Sequence, residues 1–255
     1  MEKIKIVVPI YKTELSSREK ISLDRLVEVL GHYPIVVIKP RSLDVSALLG
    51  MYPTFTTRDF DDGYFRGIEG YNRLMLSRDL YSAFSDTEYI LIYQTDAYVF
   101  TDRLTQWCDK GYDYVGAPWL KKPAYRWPVI SAYRRLQYWW MKSRNKPSKQ
   151  DLYDKVGNGG FSLRKVASFI RVIESQKDRV TFYATHERFH LFNEDVFWAT
   201  EPEGFSYPDA MDAISFSFDK YPSFCYRLNG RRLPFGCHGW YKTKNRRFWH
   251  KFINF

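Results

Sequence analysis

The run Tyr89–Tyr93, YILIY, has no polar alternate position. A strand points successive side chains to opposite faces, so a strand apolar throughout must be covered on both. That requirement predicts the interior of a mostly parallel α/β sheet with helices on either side. The run ends in Gln94-Thr95-Asp96, and open α/β sheets place ligands at the carboxyl ends of their strands.

The opening of the chain agrees. Ile4–Tyr11 (IKIVVPIY) reads as a buried strand, and Ser16–Leu30 follows with Ile21, Leu23, Leu26, Val27 and Leu30 at helical spacing behind a serine-rich start, with Gly31 as a stop. Pro34–Pro40 reads as a second strand, giving a right-handed βαβ unit. A short strand is expected near Thr54–Phe60, one helix over Gly70–Phe84, a continuation of the central strand through Ala97–Phe100, a helix over Lys165–Ser175 and a short helix from Glu194 to Thr200. Beyond Glu201 the pattern is irregular. A chain of 255 residues fits one α/β unit, residues 1–255, with an insertion at 120–150 and a basic C-terminal tail at 241–255.

The net charge of +10 is unevenly spread. Residues 120–150 carry nine bases (Lys121, Lys122, Arg126, Arg134, Arg135, Lys142, Arg144, Lys146 and Lys149) and no acid, and residues 227–255 carry eight more, again without an acid. The rest holds 22 of the 39 bases against 29 acids, so the body is acidic and the basic stretches stand apart from it. Cys108, Cys225 and Cys237 show neither CxxC spacing nor a zinc-like Cys/His pattern. They read as reduced thiols. With no signal-peptide pattern and no run of eighteen apolar residues, a cytoplasmic setting is expected.

Several residues suit transfer of a glycosyl group from a nucleotide diphosphate. That chemistry must stabilise a diphosphate leaving group, and Mg²⁺ or Mn²⁺ on hard oxygen ligands does so. Asp96 is the candidate anchor. His238, in GCHGW, is either an imidazole ligand, which favours Mn²⁺, or a buried histidine bonded to backbone. The attacking hydroxyl must lose a proton, which points to Asp195 as base, with Glu194 orienting the donor sugar or exchanging roles with it. The same acids would also complement the N-terminus of the helix they begin. Gly157, Gly159 and Gly160 permit close backbone approach to a sugar or simply form a tight turn. Arg164, near a helix start, would face phosphate or cap a surface.

Taken in order, YNRLML, YILIYQTDAYVF, GNGGFSLRK, NEDVFW and GCHGW resemble the motif series of inverting GT-A glycosyltransferases. The phrases YQTDA and DYVGAPW are also similar to those of a bacterial group of glycosyltransferase-like proteins. The resemblance covers about residues 3–119 and 153–241. It implies a GT-A fold, a Rossmann-like and mostly parallel sheet flanked by helices. It further implies that Asp96 is the metal-binding third position of a DxD-like triplet whose first acid is replaced by Gln94, which makes Mn²⁺ or Mg²⁺ dependence less firmly implied than transfer itself. By the same resemblance Asp195 is the base of an inverting reaction, Gly159 and Gly160 face donor sugar or acceptor, Asn72 and Arg73 lie near the nucleotide, and Pro9 and Tyr11 border its base. The implied partners are a nucleotide sugar, with UDP as the expected nucleotide, and a glycan or lipid-linked acceptor, as in surface polysaccharide assembly.

The 120–150 stretch interleaves its bases with Tyr125, Trp127, Tyr133, Tyr138, Trp139 and Trp140. Such a mixture suits an anionic membrane surface, which would make the protein peripheral at the inner face of the membrane, or a solvated lid. Nucleic acid is the less favoured partner, because no helix-turn-helix, zinc finger or RNP-like sequence accompanies the charge.

Overall fold

The computed structural model describes residues 2–144, 148–186 and 190–255; Lys146 of the basic stretch lies outside the described residues. Among the described residues nine strands are formed: β1 (Glu2–Pro9), β2 (Ile35–Pro40), β3 (Thr56–Phe60), β4 (Thr87–Tyr93), β5 (Ala97–Val99), β6 (Tyr114–Val115), β7 (Phe161–Lys165), β8 (Ser217–Phe218) and β9 (Gly236–His238). Six make one sheet in the order β3-β2-β1-β4-β7-β6, with β1 to β4 mutually parallel and β7 antiparallel to β4. The other three make a small sheet, β5-β9-β8.

The all-apolar strands are explained by the two layers they separate. Ile4, Ile6 and Val8 of β1 and Tyr89, Leu91 and Tyr93 of β4 pack with Leu23, Leu26 and Leu30 of the Ser17–Leu30 helix. The alternate residues Val7, Ile90 and Ile92 pack on the other face with Leu74, Met75, Leu80 and Tyr81. The Ser17–Leu30 helix opens on a capping box, in which Ser16 Oγ accepts from the Glu19 amide at 3.4 Å and Glu19 Oε2 accepts from the Ser16 amide at 2.8 Å.

Three expectations are corrected. The helix expected over Gly70–Phe84 is two helices, Gly67–Met75 and Arg78–Ser82, because Ser77 leaves helical geometry and caps the second, its Oγ accepting from the Leu80 amide. The chain does not continue β4 through Ala97: a turn closed by the Ala97 amide on the Gln94 carbonyl at 2.8 Å carries it into the small sheet. The basic segment from 241 onward is no appendage either, since Phe248, Trp249 and Ile253 are buried against Trp240, Phe218 and Cys237.

Candidate active site

The turn after β4 presents Gln94, Thr95 and Asp96, and β9 lies beside it with Ala97 opposite His238. His238 Nε2 is 2.8 Å from Asp96 Oδ1 and 3.1 Å from Gln94 Oε1. Its Nδ1 faces Asp219 Oδ1 at 3.4 Å, an ion-pair contact in which the buried Nδ1 makes no hydrogen bond. Lys242 Nζ stands 3.3 Å from the other Asp96 oxygen, and the Asp96 carbonyl accepts from the Gly239 amide. Burial opposes charge on Asp96, but His238 and then Lys242 outweigh it and hold its carboxyl at about 2. Burial likewise opposes the imidazolium, yet Asp96 and Asp219 raise His238 to about 9. Asp219 is held below the ordinary carboxylate range by His238 and nearby lysines despite its own burial.

Two glycines join this cluster to a second. A Cβ on Gly160 would lie 2.2 Å from His238 Nε2 and 2.7 Å from Gln94 Oε1; one on Gly159 would lie 1.8 Å from Glu194 Oε1. The glycine turn is fixed by Asn158, in the left-handed region at φ 123°, whose Oδ1 accepts from the Gly160 amide. The Gly160 carbonyl in turn accepts from the Gln94 amide at 2.9 Å.

Arg164 is found in neither role expected of it. It lies on β7, fully buried, with Glu194 Oε2 at 3.1 Å, Tyr81 Oη at 2.8 Å and Ser162 Oγ at 3.0 Å. Strand alternation turns it inward beneath the sheet, where Glu194 is its counter-ion. Glu194 is therefore fastened from behind. Asp195, one residue on, is only partly buried and heads the Glu194–Thr200 helix, accepting from the Val196 amide at 2.9 Å. Burial, followed by the charge of Glu194, raises its carboxyl to about 7.

The remaining expected residues sit around this centre. Asn72 is buried and fastens the turn before the Glu194 helix: its Oδ1 accepts from the Glu194 amide and its Nδ2 donates to Asn193 Oδ1, both at 3.3 Å. Arg73 follows it, half-buried. Pro9 closes β1 in the interior while Tyr11 is 59% exposed. The residue after Tyr11, Lys12, pairs with Glu19 at 2.6 Å, and Glu19 accepts from Thr95 Oγ1 at 3.0 Å, which brings the Tyr11 end of β1 near the Gln94-Thr95-Asp96 turn. The structure thus gathers Gln94, Asp96, Gly159, Gly160, Glu194, Asp195 and His238, with Asn72 behind them and Tyr11 at the edge.

Sequence reasoning missed four contributors. Asp219 and Lys242 lie in the irregular last third, Arg164 was misplaced, and Glu19 holds Thr95 through a 3.0 Å hydrogen bond while pairing with Lys12 at 2.6 Å. Only the Ser16–Glu19 capping-box spacing carried a local signal for any of them.

Among the described residues no three His, Cys, Asp or Glu side chains are grouped as a metal site. The smaller set fits a divalent ion, however. Asp96 Oδ1, His238 Nε2 and Gln94 Oε1 already converge, Asp219 stands 3.4 Å behind the other imidazole nitrogen, and glycine at 160 lets the backbone come up against His238 and Gln94 where a Cβ would clash. The Tyr71 hydroxyl is also buried without a protein hydrogen-bond partner.

The central, mostly parallel sheet flanked by helices is the GT-A glycosyltransferase fold. The chain is similar over 95% of its length to 99% of mouse xyloside xylosyltransferase 1 (12% identity, TM-score 0.55). It is similar over 96% to 94% of the galactosyltransferase LgtC, solved with donor and acceptor sugar analogues (12% identity, TM-score 0.56). It also matches the glycosyltransferase GlyE of Streptococcus pneumoniae TIGR4 over 99% of this chain and 60% of that one (11% identity, TM-score 0.52). No curated protein matches the sequence significantly. The chain belongs to the family described as Protein of unknown function (DUF5672), whose pattern matches residues 54–238.

Proposed function

We propose that the protein is a glycosyltransferase that moves a hexose from a nucleotide sugar to a hydroxyl of a glycan or lipid-linked acceptor. The observation carrying this reading is the convergence of Gln94, Asp96 and His238 on Gly160 at the carboxyl end of β4, in a fold shared with glycosyltransferases. The donor's diphosphate would lie over Asp96, where Gly159 and Gly160 let backbone approach a sugar without a side chain between. Lys242, paired with Asp96, and Lys12, paired with the Glu19 that holds Thr95, would supply positive charge to phosphate oxygens.

Gln94, Asp96 and His238 would hold Mn²⁺ or Mg²⁺. Such an ion, bound with the diphosphate, neutralises the charge that develops on the leaving group. For His238 to serve, its Nε2 proton would have to leave, and the Asp219 carboxylate 3.4 Å from Nδ1 would favour the remaining proton on that nitrogen. Arg164 and Asn72 lock the Glu194 turn, which makes Glu194 a positioning residue and leaves Asp195 to act. Asp195 would accept the acceptor hydroxyl's proton as that oxygen bonds to the anomeric carbon; the carbon–phosphate-oxygen bond breaks and the nucleoside diphosphate departs. A carboxyl near 7 is well placed to take a proton at neutral pH. Attack by an acceptor activated in this way, from the face opposite the leaving group, inverts the anomeric configuration.

The test is a donor screen, UDP-hexoses first, with Mn²⁺ and a panel of glycan and lipid-linked acceptors, run on the native protein, Asp96→Ala and Asp195→Asn. Equal turnover by all three would reject the assigned roles. Tight nucleotide binding with no transfer to any acceptor would make the chain a binding relative.

A further inference from the structure

The Pro128–Lys142 helix buries none of its residues and leaves its apolar stripe outward. Helices on a protein body turn their apolar stripe inward. Here the half-buried side mixes Ile130 and Met141 with polar anchors: Arg134 donates to Tyr125 Oη at 2.8 Å, Gln150 donates to the Arg134 carbonyl at 2.9 Å, and Tyr138 donates to Asp151 at 2.8 Å. The outward side carries Val129 (81% exposed), Tyr133 (64%), Leu136 (64%), Trp139 (67%) and Trp140 (45%). Their spacing of four, three and three or four residues makes one continuous stripe, preceded by exposed Trp127.

A stripe of this kind on a soluble protein marks a contact surface, and the charge around it selects the partner. Lys122, Arg135, Lys142, Arg144 and Lys149 are exposed, and no acid occurs between residues 120 and 150. Arg144 caps the Trp140 ring at 4.1 Å, an indole and guanidinium pair suited to the boundary between acyl chains and headgroups. Val129 and Leu136 offer nothing for a nucleotide base to stack on, whereas an acyl layer accepts them. Fifteen residues make a rod about 22 Å long, and no helix among the described residues is long and apolar enough to cross a membrane. A helix lying flat is the arrangement these features share.

We propose that the Pro128–Lys142 helix seats the protein on an anionic phospholipid surface, its stripe entering the headgroup boundary and the surrounding bases meeting lipid phosphates. The proposal does not depend on the transfer chemistry above. The test uses the full chain with vesicles of phosphatidylcholine alone or mixed equally with phosphatidylglycerol, in a flotation assay and by tryptophan emission. We expect binding to the mixed vesicles with a blue shift, at least about tenfold weaker binding to phosphatidylcholine alone, and weakening as salt rises. The double variant Leu136→Glu/Trp139→Ser changes only exposed side chains and should melt with the native protein, yet lose about tenfold or more of its vesicle affinity. Arg135→Glu should lower affinity for mixed vesicles alone. No binding to mixed vesicles at low salt overturns the proposal, as does binding that the folded double variant retains. So does a lipid-free dimer abolished by the double variant, or retention of single-stranded RNA in place of vesicles, each of which assigns the stripe to another partner.

Discussion

Replacing Asp195 with Asn should make the protein more stable and less active at once. The carboxyl is raised from 3.8 to about 7, so in the folded state it binds its proton more tightly than in the unfolded chain. Between those two values the native state holds more protons than the unfolded one, and stability therefore falls as pH rises through that window and levels off above it. Asn cannot ionise, and its side-chain oxygen can still accept from the Val196 amide. A gap of about three units corresponds to an upper limit of about 4 kcal/mol at neutral pH. Asp195 is partly open to solvent, and screening reduces this to about 1–2 kcal/mol, or roughly 2–8 °C in melting temperature for a domain of this size. Thermal melts of both proteins from pH 4 to 8 read the effect directly: the curves should coincide near pH 4 and separate toward pH 8, with the variant higher. In turnover assays the native enzyme should gain about tenfold per pH unit below 7 and level off above, while the variant should lose about 10²–10⁴-fold. A variant no more stable at pH 8 than the native protein refutes the argument from burial. One that is stabilised but fully active keeps that argument and removes Asp195 from proton transfer.

Other outcomes follow from the same contacts. Gly160→Ala should cost roughly 1–3 kcal/mol in urea unfolding and most of the activity, since its Cβ would press on His238 and Gln94; Gly50→Ala, with nothing within 4 Å, serves as the neutral control. Arg164→Met should cost about 3–5 kcal/mol by stranding the buried Glu194, and adding Glu194→Gln should recover part of that loss; a single variant as stable as the native chain would contradict the pairing. Chelation should abolish transfer, Mn²⁺ should restore it, and His238→Ala should remove the Mn²⁺-dependent rise in melting temperature that Gly50→Ala keeps.

β1, the Ser17–Leu30 helix, β2 and β4 were legible because their signals are local. Burial on both faces leaves β1 and β4 without polar alternates, and the Ser16–Glu19 box marks a helix start within one residue. The break at Ser77 was hidden because apolar spacing runs through both short helices, and only a single serine announces the new cap. β6, β8 and β9 have two or three residues each, too few for a period to register. The site divides along the same line. Gln94, Asp96, Glu194, Asp195 and His238 stood out as polar groups in apolar or glycine-rich settings. What holds them did not: Asp219 reaches His238 only through the pairing of β8 with β9, and the need for glycine at 159 and 160 comes from side chains many residues away. For the Pro128–Lys142 helix the composition was plain, but which face it turns to the body depends on polar contacts that periodicity does not contain.

The small sheet sets an order of events. His238 enters from β9 and meets a turn made 144 residues earlier, and Asp219 arrives with β8 shortly before it. Contacts of such long sequence separation form late, after closer ones have lowered the entropy of closing the loop. The six-stranded layer can assemble around β1 and β4 while the Asp96 end remains open. During synthesis, then, a chain made only through β7 would carry Gln94, Asp96, Gly159 and Gly160 but leave Arg164 without Glu194 and both faces of the sheet short of cover, and the Asp96 end would be completed last, when residue 238 emerged and docked.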